Sequence, residues 1–552
     1  MNDLLTTGKI LIVDDFAGFR MTLKSMLNRM RATDIDQAGN GYDAIKLCSE
    51  NTYQIIFCDY NLGEGQDGQQ VLEELHHRSL IKRGTLFFMV TAETTQAQVI
   101  GAIEYRPDAY LTKPFTGEQL EQRLMRLIEK NSALEKIHNA INSGDIKKAL
   151  AACDEVIQQS PKVRFSCLRI KSELYEQQKN FDGALETYQN VIKEQPLLWA
   201  MMGIGKIYYD QGQHEKAKDY FITIRDSFPR QVNVLDWIAK CQVALGDTDN
   251  AEKTLLEAIA ISPKSLKRQV SLGKVASSLK HHDIAQKAFS KTVHEGNHSC
   301  LLKPAHFQYY YDNATEVMDS LSAAEKFNLM AQTDSIYKSM ERKYKDNPSA
   351  LAANLSSAAK LYSTDGQSDK ALGMLSKLNT ALENTDCQLS QHETEIMSEN
   401  LKTFSDLDSS DKYLGKISSR LNEIKEEIKD HPPLKQPEDQ LIETMPTVSL
   451  FADSDNLQVA KKLNKEGLQL TEQKMPVLAL SKFREAISLS PDNSSYKLNA
   501  AHIILVTPAL NRMPKLITEA RLYLDQSAGS TDSVVRRKRY QALIDKLNDV
   551  QS

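Results

Sequence analysis

Three carboxylates, a hydroxyl and an ammonium each follow a short apolar run in the first quarter of the chain. Asp14 and Asp15 close the run 9–13, Asp59 closes 55–58, Thr91 closes 85–90 and Lys113 closes 109–112. Acids gathered in this way suit a hard divalent cation, above all Mg²⁺. Such a cation offsets carboxylate repulsion and the charge of an incoming phosphoryl group. Asp59 is then the nucleophile that forms an aspartyl phosphate. Lys113 pairs with one phosphoryl oxygen and the Thr91 hydroxyl donates to another. Taken singly, each residue has a plainer reading. An acid after a strand is often a helix cap, and a lone lysine is a surface lysine. Their joint placement at the ends of four strands favours the chemical reading.

The elements that must position them follow from periodicity. Each apolar run reads as a buried parallel strand, and helical intervals separate the runs. In open α/β sheets the ligand site lies beyond the carboxyl ends of the strands, so the five residues converge on one rim. The spacing predicts a first helix from Phe16 to Met30, with Phe19, Leu23, Met26, Leu27 and Met30 on its apolar face and Arg20, Lys24 and Arg29 solvated. A weak second strand covers 34–38 and a second helix covers 42–50. A third helix follows Asp67-Gly68, carrying Val71, Leu72, Leu75 and Leu80. A fourth spans 96–104, and the last spans 117–131. His76 and His77 are adjacent, so on a helix they point apart, and no third ligand stands near them.

These residues carry a resemblance. Asp14-Asp15, Asp59, Thr91-Ala92 and the segment Tyr110 to Phe115, with Lys113-Pro114 inside it, resemble the receiver domain of two-component response regulators, the CheY-like fold. The resemblance implies a five-stranded parallel doubly wound α/β sheet over 1–129. It implies Mg²⁺ held by Asp14, Asp15 and Asp59 with the Asn61 backbone carbonyl, a switch formed by Thr91 and Tyr110, and a cis Lys113–Pro114 peptide. It also implies a histidine kinase or phosphotransfer protein as partner, and slow self-dephosphorylation in which Asn61 and Glu93 orient water. The Asp67-Gly68 turn matches, while the Asn61–Gly68 loop is slightly longer than usual.

The chain has 552 residues and a formal net charge of -5. That length allows three or four domains, and the weakly acidic balance disfavours duplex DNA as a partner. The seven cysteines are scattered, without a CxxC pair. This suits a reducing cytosol and argues against zinc. The start, Met1-Asn2-Asp3-Leu4-Leu5, has no basic region ahead of an apolar core, so no signal peptide is expected. No apolar run is long enough for a membrane span, and the expected location is cytoplasmic.

Beyond Glu129 the signal is a period. Ala149, Ala184, Ala217, Ala251 and Ala285 stand 35, 33, 34 and 34 residues apart. Pro161, Pro196, Pro229 and Pro263 each follow the matching alanine by twelve. Tyr188, Phe221, Leu255 and Phe289 stand four after their alanines, and Gly144, Gly212 and Gly246 stand five before theirs. Alanine permits close approach of paired helices and the larger residue fills the groove. Glycine ends the first helix and proline punctuates the exit. The pattern resembles the tetratricopeptide repeat, most fully over Leu198–Gln231 with Gly205, Tyr208, Gly212, Ala217, Phe221 and Pro229. Lys179 replaces one turn glycine and Asn297 one proline. Five units are expected over 130–299, with the last receiver helix running straight into them.

Residues 300–394 read as irregular helices with one further unit, 352–385. Residues 395–456 read as a polar stretch, an amphipathic helix over 411–430 and a linker, 434–456. Residues 457–552 resume the repeats with Gly467, Ala479, Phe483, Ala486 and Pro491. Arg536 to Arg539 is a basic cluster read as a solvated face, since no aromatic platform accompanies it. The whole then reads as an α/β receiver followed by an all-α solenoid. The expected function is a response regulator that takes a phosphoryl group on Asp59 and governs protein binding through its repeats, with a downstream protein or a second copy as partner. The alternative is a phosphate sink or a constitutive scaffold for a kinase pathway. No output catalysis is expected.

Overall fold

In the computed structural model the described residues are 3–92, 107–229, 231–384, 386–404, 410–430, 455–489, 493–508, 510–511, 514–525, 527 and 534–551. The fourth receiver helix, Glu93 and most of the 434–456 linker lie outside them. Two compact units emerge, one of 1–245 with 446–552 and one of 246–445.

The amino-terminal part of the first unit is a parallel sheet of β1 (Ile10–Val13), β2 (Ile35–Ala38), β3 (Ile55–Asp59), β4 (Leu86–Thr91) and β5 (Ala109–Thr112), in the order β2-β1-β3-β4-β5. Ile10 pairs with Ile35 and Ile55, Asp59 with Val90, and Thr91 with Thr112. Alternation along the strands sends side chains to two separate cores. Ile10, Ile12, Ile55, Phe57, Phe88 and Val90 enter one, while Leu11, Val13, Ile56, Cys58, Phe87 and Met89 enter the other. Helices α1 (Asp3–Thr7), α2 (Ala17–Arg29), α3 (Gly41–Glu50), α4 (Gly68–His77) and α5 (Gly117–Ala133) cover the faces. The short α1, which buries Leu5, carries too few periodic residues to be legible in sequence. Reciprocal side-chain caps, Asp67 with Gln70 and Thr116 with Gln119, fix where α4 and α5 begin.

The last receiver helix does not run straight into the repeats. It stops at Leu134, which is fully buried, and the chain restarts as α6 (Glu135–Asn142), then α7 (Ile146–Gln159) and α8 (Arg164–Gln177). The boundary expected at 129/130 therefore falls inside α5, and that at 456/457 inside a helix of 455–472. Leu124, Leu127, Leu134, Ile137, Ala149, Cys153, Cys167 and Leu174 belong to the same core as Ile10 and Phe57. Receiver and first repeats are one packed body.

Helical pairs continue through 181–194, 198–210, 214–227 and 232–244. In the second unit they run 248–261, 266–278 and 282–295, and further helices extend to Asp430. Ala149, Ala184, Ala217, Ala251, Ala285, Ala371 and Ala479 are all fully buried, as close helix approach requires. A Cβ on Gly205 would meet the Phe221 ring at 2.6 Å, so that aromatic seats on the helix backbone. Lys179 holds the left-handed turn with φ +56°, close to the +75° of Gly144.

The stretch 395–409, read as polar with no element assigned to it, begins within a helix. Ser390 and Glu393 cap Gln391–Lys402, and its Met397 and Leu401 are buried. The boundary at 394/395 therefore also falls inside a helix. The amphipathic helix Asp411–Asp430 buries Ile417, Leu421 and Ile424 in the same core. Near the end of the chain, Arg539 bonds the Asn499 side chain at 2.6 Å, one specific contact within the basic cluster.

Candidate functional site

The sheet brings Asp14, Asp15, Asp59 and Lys113 together at its carboxyl rim. β1 ends at Val13 and β3 at Asp59, and their pairing sets the acids side by side. One oxygen from each of Asp14, Asp15 and Asp59 lies within 4.8 Å of the others. Asp14 and Asp59 are buried and Asp15 is exposed. The Lys113 ammonium donates to Asp14 Oδ2 at 2.7 Å and to Asp59 Oδ2 at 2.8 Å. Asp14 Oδ1 also accepts from the Phe16 amide at 2.8 Å, which fixes its carboxylate plane. The Lys113–Pro114 peptide is cis.

Charge is unevenly balanced here. Burial pushes the Asp59 carboxyl above its ordinary range, and Lys113 only partly restrains it. Burial also works to lower Lys113, but the bonds and charges of Asp14 and Asp59 outweigh it, so the ammonium is held above its usual value. Acid and base move in the same direction for different reasons: burial dominates at Asp59, and the two carboxylates dominate at Lys113. Such an all-oxygen, acid-rich cluster fits a hard divalent cation, with Asp14, Asp15 and Asp59 as its holders. The Asn61 side chain is turned into its own loop, where Oδ1 accepts from the Gly63 amide at 3.2 Å, leaving the main-chain carbonyl as the group the resemblance implies.

Thr91 ends β4, and its carbonyl accepts from the Lys113 amide at 2.7 Å. Tyr110 is half-buried on β5, paired with Met89, and Arg123 of α5 donates to its carbonyl. Two contributors were not legible as such. Arg20, read as solvated, is half-buried and donates to the Asp14 carbonyl at 2.6 Å. Phe19, read as part of an apolar stripe, lies with its ring centroid 4.0 Å from the Lys113 ammonium. Nothing in helical spacing separates a ring that faces core from one that faces a cation.

A second polar cluster sits at the amino end of β4. The Arg83 backbone exchanges bonds with the Asn142 side chain at 3.1 and 3.0 Å. The Asn131 amide donates to the Gly84 carbonyl at 2.6 Å. The Arg83 guanidinium reaches Glu173 of α8 at 3.0 Å, and Arg169 meets the other Glu173 oxygen at 3.4 Å. Burial, then the charge of Arg83, holds both His76 and His138 down to about 4. The histidine pair 76/77 joins no cluster of metal-ligating side chains among the described residues, and the described helices include none long and apolar enough to cross a membrane.

Comparison with known proteins agrees with this geometry. The response regulator receiver domain family matches residues 10–125, and tetratricopeptide repeat families match 170–197 and 202–265. Chemotaxis protein CheY-3 of Vibrio cholerae is 29% identical over 122 residues, which are 22% of this chain and 92% of that protein. Chemotaxis protein CheY of Pseudomonas aeruginosa is 30% identical over 122 residues, again 22% of this chain and 97% of the relative. A solved tetratricopeptide repeat protein from Parabacteroides merdae covers 50% of this chain and 98% of its own, at 15% identity and a TM-score of 0.29, too low to carry any weight. With nearly the whole of a small receiver protein matched by its first quarter, and repeats matched directly behind, the chain belongs to the response regulators: a two-component receiver domain followed by tetratricopeptide repeats.

Proposed function

We propose that the chain is a phosphorylation-controlled regulator that takes a phosphoryl group on Asp59 and uses its repeats to bind a downstream protein. The donor is a phosphohistidine on a histidine kinase or a phosphotransfer protein. An Asp59 oxygen attacks phosphorus, the P–N bond breaks, and the imidazole nitrogen leaves with the electron pair. Asp59 supplies the nucleophile. Lys113, already bonded to it, is placed to pair with the incoming phosphoryl oxygens, and the Thr91 hydroxyl stands at the end of the neighbouring strand. Bound Mg²⁺ supplies charge neutralisation for the phosphoryl group. The chain itself has no output chemistry, and it works in the cytoplasm.

The observation that carries this reading is the shared Asp14–Lys113–Asp59 contact. It gathers buried carboxylates and an ammonium at one rim at a cost in desolvation, which supports a functional reading of the cluster. The test is direct. The full chain is incubated with a small-molecule phosphodonor and Mg²⁺, and intact mass and base-labile phosphate are measured. Asp59→Ala and Asp59→Asn are both expected to lose all label while keeping the fold. An unchanged yield in either variant assigns the phosphoacceptor elsewhere.

A further inference from the structure

We infer that Phe19 is a positioning residue for Lys113, holding its ammonium in place when the carboxylates around it change their charge. The inference rests on the reading of Asp59 as phosphoacceptor. The Lys113 ammonium touches three things: Asp14 at 2.7 Å, Asp59 at 2.8 Å, and the face of Phe19 at 4.0 Å from the ring centroid. An ammonium has three N–H groups, so the carboxylates account for two and the third side meets the ring. A cation over an aromatic face is attracted by the ring quadrupole, more strongly when partly desolvated. The lysine side chain is only 19% exposed, so this contact is shielded from water.

The ring is itself held. Phe115, two residues beyond Lys113, meets Phe19 edge-on at 5.9 Å with planes at 86°. One turn on from Phe19, Leu23 is buried in the core beneath β1 and β3. The segment that carries the lysine therefore also braces the ring that receives it. The carboxylate contacts lack this constancy. Phosphorylation converts one Asp59 oxygen into an ester-like atom with little charge, and a cation at the cluster competes for Asp14. The ring's attraction changes with neither event. Phe19 thus keeps Lys113 aimed at the phosphoryl position throughout the transfer, and it closes one flank of the ammonium to water.

The experiment uses the full chain as wild type, Phe19→Leu, Phe19→Tyr, Lys113→Ala and the Phe19→Leu/Lys113→Ala pair, each checked for folding by thermal unfolding. Phosphorylation rate with a small-molecule phosphodonor and Mg²⁺ is measured by intact mass. Removing the ring is expected to slow labelling roughly 3- to 30-fold, and retaining it as tyrosine to keep the rate within about twofold. In the Lys113→Ala background Phe19→Leu is expected to add nothing, because the effect passes through the lysine. A Phe19→Leu rate equal to wild type, a Phe19→Tyr rate as slow as Phe19→Leu, or a further loss in the Lys113→Ala background overturns the inference. Independently of phosphorylation, the Lys113 ε-methylene protons are expected to show an upfield ring-current shift that Phe19→Leu abolishes. If the shift is seen and wild type accepts no label, the phosphoacceptor reading fails and the ring–lysine contact stands. If label is accepted and no shift is seen, the contact fails alone.

Discussion

Replacing Glu173 by alanine is expected to loosen the receiver and the first repeats together. Glu173 is buried and neutralises two guanidiniums, Arg83 at 3.0 Å and Arg169 at 3.4 Å. The Arg83 and Glu173 side chains are 9% and 10% exposed, so solvent screens little of this. Removing one partner of a buried pair leaves charge uncompensated, at a cost of about 3–5 kcal/mol. Burial already weighs against the charged form of Arg169, and Glu173 is what offsets it. Against a domain stability of roughly 5–15 kcal/mol, that is a large fraction. Glu173→Gln keeps the shape and a hydrogen-bonding group, and is expected to cost less. The assay is hydrogen exchange of the full chain, read by peptide. Protection is expected to fall by more than about a hundredfold in β1 and β4 as well as in α8, because Ile10, Phe88 and Leu174 share one core. Faster exchange confined to α8, with the strands unmoved, refutes the claim that receiver and repeats are one cooperative body.

Two further outcomes follow from the same geometry. Mg²⁺ at about 100 times its dissociation constant is expected to stabilise the wild-type chain by about 2.7 kcal/mol, and an Asp14→Asn/Asp15→Asn variant by far less. Equal shifts in thermal midpoint would remove these carboxylates from the metal site. The second outcome concerns pH. His138 is held down to about 4 in the fold, whereas an unfolded histidine titrates near 6.5. The unfolded state then binds more protons between those values, so stability is whole above pH 6.5 and is lost as pH falls toward 4. With each pKa unit worth about 1.4 kcal/mol, the ceiling for this buried ring is roughly 3.5 kcal/mol. Denaturation midpoints are expected to fall less steeply with pH over that window in His138→Gln, His76 retaining its own share, and an unaltered slope would assign the acid lability to other groups.

Much of the acidic rim was legible because strand ends advertise themselves. An apolar run closed by a polar residue fixes both the strand and the rim, so Asp14, Asp59 and Lys113 fall together once parallel pairing is assumed. The repeat alanines were legible for a related reason: close helix packing forbids a larger side chain, so the constraint is written into residue type. Phe19 and Arg20 were not legible, because helical periodicity ranks residues by burial and says nothing about what a half-buried ring or guanidinium faces. The Arg83–Glu173 contact joins residues 90 apart in a chain of alternating charges, where many pairings look equal until the backbone is placed. The helix of 391–402 was missed because its buried face includes Thr394 and Asn400, which a hydrophobic count scores as polar. The Asn400 amide lies 3.3 and 3.2 Å from the Ser356 and Ser357 hydroxyls, which is what makes that burial tolerable.

The position of the two clusters bears on how the phosphorylation proposed at Asp59 would reach the repeats. Asp59, Lys113 and Thr91 stand at the carboxyl end of the sheet, while Arg83 and Gly84 stand at the amino end of β4. Six residues of strand separate those ends, about 20 Å, so the two clusters are not in direct contact. Helix α5 spans the gap. Its amino end follows Phe115, which braces Phe19 at the rim, and its seventeen residues run about 25 Å. Near its carboxyl end Asn131 holds the Gly84 carbonyl, and Leu134 then turns the chain into α6. Between them Arg123 grips the Tyr110 carbonyl, and Leu120, Leu124 and Leu127 lie in the shared core. A helix held at both ends and packed along its length transmits strain from one end to the other. Under the phosphorylation proposed at Asp59, a shift of α5 against β5 would load the Asn131–Gly84 bond, where the receiver meets the first repeats.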